Sequence, residues 1–181
     1  MKKLLSVVAL AAIVGAVLGY VLKTSPPWYE RFRYPLQYSA YIRVHATEHH
    51  LDPALMAAVI YQESKFQPAV ESSSGAIGLM QLTPSTAHGI AIRTGGHAFE
   101  TSDLYNPEIN IRYGAWYLDN LFAKYHDETL VLAAYNAGQG NVDKWLARHE
   151  PIQFPETRAY VSRVEHLKHV YAQAWHSQLY G

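Results

Sequence analysis

Hydrophobic and polar positions divide the chain into two regimes. From Leu4 to Leu22 an uncharged run of 19 residues holds 16 apolar ones, with Lys2 and Lys3 in front of it. A bilayer core takes about 20 apolar residues in a helix, against about 7–15 for the core of a secretion signal. The run therefore predicts a membrane-spanning signal-anchor over residues 1–22, in preference to a cleaved signal peptide. Val17-Leu18-Gly19 is the best of the weak cleavage patterns. Lys23, Arg31 and Arg33 match Lys2 and Lys3 across the run, so charge does not set its orientation. Residues 23–36 hold three prolines and four aromatics and read as a stiff linker. Trp28 and Tyr29 would lie at headgroup level.

Beyond residue 36 the period becomes helical. Tyr38 to His50 predicts a first helix. Asp52-Pro53 pairs an N-cap with proline at the first helical position and opens a helix to about Ser64. Residues 67–82, rich in Ser and Gly, predict a loop with at most a small hairpin. Thr83-Pro84 opens a short helix, and residues 93–105 form a polar loop around Gly95-Gly96. Asn106-Pro107 starts a helix to about Tyr125. Asp127 caps another that stops at Ala137-Gly138. Asn141 begins a short helix to about Arg148, and Pro155 opens a last one to about Gln178. In that last helix Tyr160, Val164, Leu167, Tyr171 and Ala174 recur at spacings of 4, 3, 4 and 3, one inward stripe. No strand-like alternation or internal repeat is present. The fold class is mainly α, with residues 37–181 forming a single domain.

Composition sharpens this division. The 181 residues carry 15 basic and 15 acidic side chains and no cysteine. Without cysteine there is no disulfide scaffold, no thiolate metal ligand and no thiol nucleophile. Zero net charge disfavours a nucleic-acid partner held by phosphate contacts. Residues 1–23 contribute three lysines and no acid, which leaves the rest with 12 basic and 15 acidic groups, a net −3.

One carboxylate stands out. Met56, Val59, Ile60 and Glu63 share a face of the helix from Pro53, so Glu63 ends an apolar, inward stripe. Desolvation there disfavours its charged form and prepares it as a general acid. The plainer reading is a helix-end Glu paired with a nearby cation. The following loop, with Gly75, Gly78 and Gln81, offers flexible backbone and an amide for sugar hydroxyls, or is simply a turn. Ala134-Tyr135-Asn136-Ala137-Gly138 places polar groups at a helix end, or is an ordinary C-cap. Ten histidines raise the question of a metal. His45-Ala46-Thr47-Glu48-His49 fits H-x-x-E-H with both imidazoles on one face. So loose a pattern reads better as a surface His pair, and His166 and His169 as surface or groove residues. Trp116, Trp145 and Trp175 fall at core-like helical spacing, with some free to stack on sugar faces. Nothing suggests a metal or organic cofactor.

Taken together, Gln62-Glu63-Ser64 with Phe66 and Pro68, Gly75-Ala76-Ile77-Gly78-Leu79-Met80-Gln81-Leu82, Asn106-Pro107 with Asn110-Ile111, Ala134-Tyr135-Asn136-Ala137-Gly138, and Tyr160 closely resemble the Slt-type lytic transglycosylases. Order and spacing match from about residue 38 to 175. Many members carry Met where this chain has Thr83. The resemblance implies a lysozyme-like catalytic domain of the goose type. It also implies cleavage of the β-1,4 bond between N-acetylmuramic acid and N-acetylglucosamine in peptidoglycan. It makes Glu63 the sole acid/base and Tyr160 the tyrosine that orients it. Ser72, Gln81, Tyr135 and Asn136 fall on substrate-binding positions.

That chemistry needs no second carboxylate, whereas ordinary glycosidases use two. Glu71, Asp103 and Glu108 sit in polar or helix-start contexts. The resemblance implies that the sugar's own 6-hydroxyl attacks C1, giving a 1,6-anhydro ring. The expected partners are glycan strands and, through residues 1–22, a membrane. The expected location is the extracytoplasmic face of the cytoplasmic membrane, or the secreted or periplasmic space if the segment is cleaved. A hydrolytic muramidase and a non-catalytic peptidoglycan-binding module are the alternatives.

Overall fold

The structure, a computed structural model, describes residues 2–181, with the side chains of residues 2–5, 8, 9, 11 and 22 lying outside the description. The chain divides into two units, one ending at Pro35 and one spanning Leu36–Gly181. The first unit holds α1 (Lys2–Thr24) and α2 (Pro27–Arg33). The expected anchor over residues 1–22 falls partly outside the described residues. Among those described, no helix is long and apolar enough to cross a membrane. Val7, Leu10, Ile13, Val14, Val17 and Leu18 are all exposed on α1. The linker differs from expectation in being helical over seven residues. Pro27 occupies the first helical position, where its missing N–H is no loss, and Glu30 precedes Arg31 and Arg33 in the order a helix dipole favours.

The second unit is built around one buried helix. It comprises α3 (Ser39–Glu48), α4 (Pro53–Ser64), α5 (Pro84–Thr94), a 3₁₀ helix (Thr101–Tyr105), α6 (Pro107–Tyr125), α7 (Glu128–Ala137), α8 (Gln139–Ala147), α9 (Pro155–Ala174) and α10 (His176–Tyr180). Residues Ala54–Ile60 of α4 are each at most 1% exposed, on every face. The run has no polar position, so it is stable only when surrounded. Helix α9 covers it along its length, α3 packs on another side, and α6 and α7 close the bundle. The stripe Tyr160, Val164, Leu167, Tyr171 and Ala174 of α9 is buried as the spacing predicts.

Helix starts follow local chemistry. Asp52, Thr83, Asn106 and Asp127 each accept a hydrogen bond from the first turn of the helix that they cap, and Pro53, Pro84 and Pro107 take the first helical position. Three elements depart from expectation. The polar loop 93–105 contains the 3₁₀ helix, with a capping box between Glu100 and Asp103 and with Leu104 buried. Helix α8 begins at Gln139, because Gly138 (φ 83°) alone turns the chain out of α7. The last helix breaks at Trp175. The break folds α10 back so that Leu179 is buried and the Tyr180 hydroxyl donates to Asp52 Oδ1 at 2.6 Å.

The expected surface pair His45/His49 is also corrected. His45 is only 5% exposed, because both ring nitrogens face carboxylates: Nδ1 lies 2.7 Å from Glu48 and Nε2 3.2 Å from Glu108. His49 Nδ1 lies 3.0 Å from Asp119. Among the described residues no group of His, Asp or Glu is arranged to hold a metal ion. His166 and His169 are exposed.

The loop after α4 has almost no regular pairing, only antiparallel bridges Glu71–Ile77 and Ile77–Leu82. One buried amide holds it. Asn110 of α6 accepts from Met80 N at 2.8 Å and donates to Ile77 O at 2.9 Å and Leu104 O at 2.8 Å. Gly78 (φ 79°) lies against this amide, where a Cβ would collide with Asn110 Nδ2 and Leu104 O. Gly114 gives Met80 the same clearance on α6. Around this clamp Ile77, Leu82, Ala87, Ile90, Leu104 and Tyr113 form a second, smaller core. Asn110→Ala would take this partner from Met80 N and Leu104 O, at about 1–3 kcal/mol each where water cannot reach them, while Ile77 O keeps the Leu82 N–H. We expect a loss of about 3–5 kcal/mol in urea-unfolding stability. A loss below about 1 kcal/mol would show that the loop satisfies these groups without the amide.

Candidate active site

Glu63 lies in the last turn of α4. The helix is stopped by two left-handed residues, Lys65 (φ 51°) and Phe66 (φ 62°). Phe66 secures this turn by burying its ring between Tyr61 and Tyr171, at centroid distances of 6.4 and 6.2 Å. Ser64 donates to Leu79 O at 2.8 Å, so the helix end is fastened to the Gly-rich loop. The Glu63 carboxyl therefore opens where the α4–α9 core meets the loop.

Its partner is Tyr160 of α9, whose hydroxyl donates to Glu63 Oε1 at 2.7 Å. Burial pushes the Glu63 carboxyl up to about 7, against a smaller downward pull from the Tyr160 hydrogen bond. Among the described residues Glu63 makes no ion pair, so the paired-Glu reading gives way to a desolvated acid. The Tyr160 hydroxyl is held well above the ordinary tyrosine range by burial and by the charge of Glu63. It stays a donor. With Oε1 taken as an acceptor, the proton of the neutral carboxyl resides on Oε2.

Tyr135, near the end of α7, joins this pair. Its hydroxyl donates to Met80 O at 2.7 Å, and burial together with Glu63 raises its titration well above normal. Asn136 is exposed, and its Oδ1 accepts from Thr157 at 2.8 Å. That bond leaves the Asn136 Nδ2 hydrogens facing outward as donors. Gln81 stands in the loop with φ 49°, and its Nε2 donates to Val70 O and Gly78 O. What it offers a ligand is the Oε1 acceptor. The expected site residue Ser72 is turned into its own loop: its hydroxyl accepts from Ala76 N and bonds Ser74. The structure thus gathers Glu63, Tyr160 and Tyr135. Gln81 and Asn136 present single polar groups at neighbouring loop and helix ends, and Ser72 acts on the loop itself.

Two residues that set this geometry are not among the site residues that the sequence predicts. Thr157 is 2% exposed and orients Asn136. Its signal was its position three residues before Tyr160, on the same helix face. Asn110 supported the resemblance but showed no sign of its three bonds. The other carboxylates are engaged elsewhere. Glu71 accepts from the Tyr105 hydroxyl, Asp103 caps its own turn, and Glu108 meets His45 and Arg112.

A groove of about 420 Å³ runs beside the site between α5 and α6. Tyr117 is on its wall, and the Tyr117 ring packs 5.4 Å from that of Tyr135.

The transglycosylase SLT domain family matches residues 40–153, and Tyr160 lies beyond that span. A putative soluble lytic murein transglycosylase of Haemophilus influenzae is 37% identical over 147 residues, which is 75% of this chain and 25% of the relative. The membrane-bound lytic murein transglycosylase F of Pseudomonas fluorescens is 34% identical over 134 residues, 70% of this chain and 26% of the relative. Among solved structures, an inactive variant of the lytic transglycosylase Slt of Pseudomonas aeruginosa superposes with a TM-score of 0.76. Its identity is 33%, covering 81% of this chain and 26% of that one. The chain thus spans about a quarter of the length of these relatives. With the matched segments running through the loop, α4 and α7 that frame Glu63, the chain belongs to the transglycosylase SLT domain family.

Proposed function

We propose that the protein is a peptidoglycan lytic transglycosylase that cleaves the bond between N-acetylmuramic acid and N-acetylglucosamine without water. The observation that carries this reading is the lone, desolvated Glu63, poised near neutral pH and oriented by Tyr160. Names of relatives that refer to murein support the substrate.

In this reaction Glu63 Oε2 gives its proton to the glycosidic oxygen as the bond to C1 breaks. The cationic centre at C1 is shielded by the muramic acetamido group, as in substrate-assisted glycosidases. The sugar's 6-hydroxyl then forms a new bond to C1 and returns its proton to Glu63. A pre-positioned intramolecular nucleophile has a large advantage over free water. Gln81 Oε1 would accept from a sugar hydroxyl or acetamido N–H, and Asn136 Nδ2 would donate to a carbonyl or hydroxyl oxygen. Tyr135 fixes the loop backbone through Met80 O. Ser72 shapes the loop, and a contact between its hydroxyl and substrate would require it to leave Ala76.

The protein would work in the cell envelope, on the outer side of the cytoplasmic membrane. The apolar run of α1 would fasten it there as a signal-anchor, and the exposed apolar side chains of α1 support this. Residues 23–36 would then act as the spacer and residues 37–181 as the catalytic domain.

Glu63→Gln should lower turnover of purified peptidoglycan by at least about 10²–10⁴-fold, the scale of general acid catalysis. Retained activity would overturn the assignment. Mass spectrometry of wild-type products should find 1,6-anhydro ends, lighter by one water than the reducing ends a muramidase would leave.

The reaction needs neutral Glu63, so its rate should fall as pH rises through about 7. Tyr160→Phe removes the bond that lowers this titration, so the alkaline limb should move to higher pH as the rate drops. A variant that only loses stability, with the limb unmoved, would make Tyr160 a packing residue.

Stability should carry the same sign. The folded carboxyl holds its proton up to about 7 and the unfolded one only to about 4.5, so Glu63 destabilises the fold progressively between those values. Glu63→Gln should therefore raise the melting temperature at pH 8 relative to wild type, with the difference vanishing near pH 4. Equal differences at both pH values would refute the shift.

A further inference from the structure

Trp28 and Phe32 of the first unit are 62% and 85% exposed, although both carry large aromatic side chains. They belong to α2, which does not continue α1. Ser25 (φ 42°) is left-handed and Pro26 is extended (φ −62°, ψ 151°), so the chain turns before Pro27 starts the new helix. At about 100° of turn per residue, Trp28 and Phe32 lie about 40° apart on one face, and Tyr29 continues that face about 60° beyond Phe32. The Tyr29 ring meets that of Trp28 edge-on, with centroids 6.0 Å apart. Arg31 flanks this aromatic arc on the Trp28 side and Arg33 on the Tyr29 side, and both are exposed. Glu30, the only acid among residues 1–35, falls on the opposite face and is half-buried. The helix thus presents an aromatic centre with a cation at either edge and its acid turned away.

That order of groups fits the boundary of a bilayer. Aromatic rings settle between headgroups and acyl chains, while arginines at the edges of the face extend to the headgroups. Two cations with no acid on the same face favour an anionic surface. A helix of seven residues would hold such a surface only weakly by itself, but a tether into the same bilayer makes the contact intramolecular. Resting on the reading of α1 as a membrane anchor, we propose that α2 lies on the surface of the bilayer that holds α1, with Trp28 and Phe32 among the lipids and Arg31 and Arg33 on anionic headgroups. The consequence is reach. Fully extended, residues 25–36 would span about 40 Å. With α2 docked, only the few residues after Arg33 remain as spacer, and the enzyme works on the glycan nearest the membrane.

The chain has no cysteine, so Phe32→Cys supplies a single thiol for a nitroxide label. The full-length labelled chain would be reconstituted in vesicles of zwitterionic phosphatidylcholine, or of phosphatidylcholine mixed with anionic phosphatidylglycerol. Relaxation by oxygen, which dissolves in lipid, and by a nickel chelate, which stays in water, divides the label into docked and wet populations. The docked-to-wet ratio should be about 25-fold higher in the anionic vesicles, about fivefold for each arginine. Arg31→Gln together with Arg33→Gln should erase that excess and leave the ratio in phosphatidylcholine unchanged. Trp28→Ser should lower the ratio in both. A label equally wet in both vesicles would overturn the proposal. So would one equally shielded in both, since protein would then cover the aromatic face. The same label on Ile13→Cys reads the anchor separately. Lipid exposure at position 13 with a wet position 32 would leave the anchor standing and sink the docking. Lipid exposure at position 32 in anionic vesicles, with a wet position 13, would support the docking and sink the anchor.

Discussion

Much of the architecture around the candidate site depends on satisfying backbone polar groups in a loop too irregular to satisfy all of its own. The segment from Gln67 to Leu82 runs over the surface and turns inward at residues 76–80, with two isolated bridges and no ladder. Its own turns pair several of its amides and carbonyls, and the buried groups that remain must be met from outside it. Asn110 does so with three bonds from a single side chain. Ser64 and Tyr135 take the neighbouring carbonyls of Leu79 and Met80. Helices α4, α6 and α7 are thereby tied to one loop, and the groups that frame Glu63 inherit their positions from it.

The carboxyl itself illustrates the opposite requirement. Every other acid near the site is paired, capping or solvated, whereas Glu63 meets one phenol and is otherwise desolvated. A cation in place of Tyr160 would satisfy the carboxylate better and keep it charged, which would spoil it as an acid. A neutral donor is the compromise: it fixes the carboxyl's orientation and lowers the proton affinity by less than burial raises it.

Much of the fold was legible because its signals are local. Asp52, Thr83, Asn106 and Asp127 cap within three residues of themselves, and the α9 stripe needs only the helical period. The inward course of Glu63 was legible in the same way. What escaped the sequence depends on partners far along the chain. His45 looked like a surface residue because its second carboxylate, Glu108, lies 63 positions away. Thr157 and Asn136 are 21 apart, and Asn110 reaches back 33 positions to Ile77. The missed helix α2 and the misplaced start of α8 have a different cause. Proline in a linker can also begin a helix, and the glycine that stops one helix can separate it from the next with no residue between.

The left-handed pair Lys65–Phe66 has an electrostatic consequence. By ending α4 just past Ser64, it leaves Glu63 in the terminal turn, where unpaired carbonyls gather the negative end of the helix dipole. A charged carboxylate is disfavoured there on the same grounds that a lysine would be welcome. Backbone geometry and burial thus press in the same direction, toward a protonated acid. The strained turn that Phe66 holds in place is then part of what keeps Glu63 armed, without touching it.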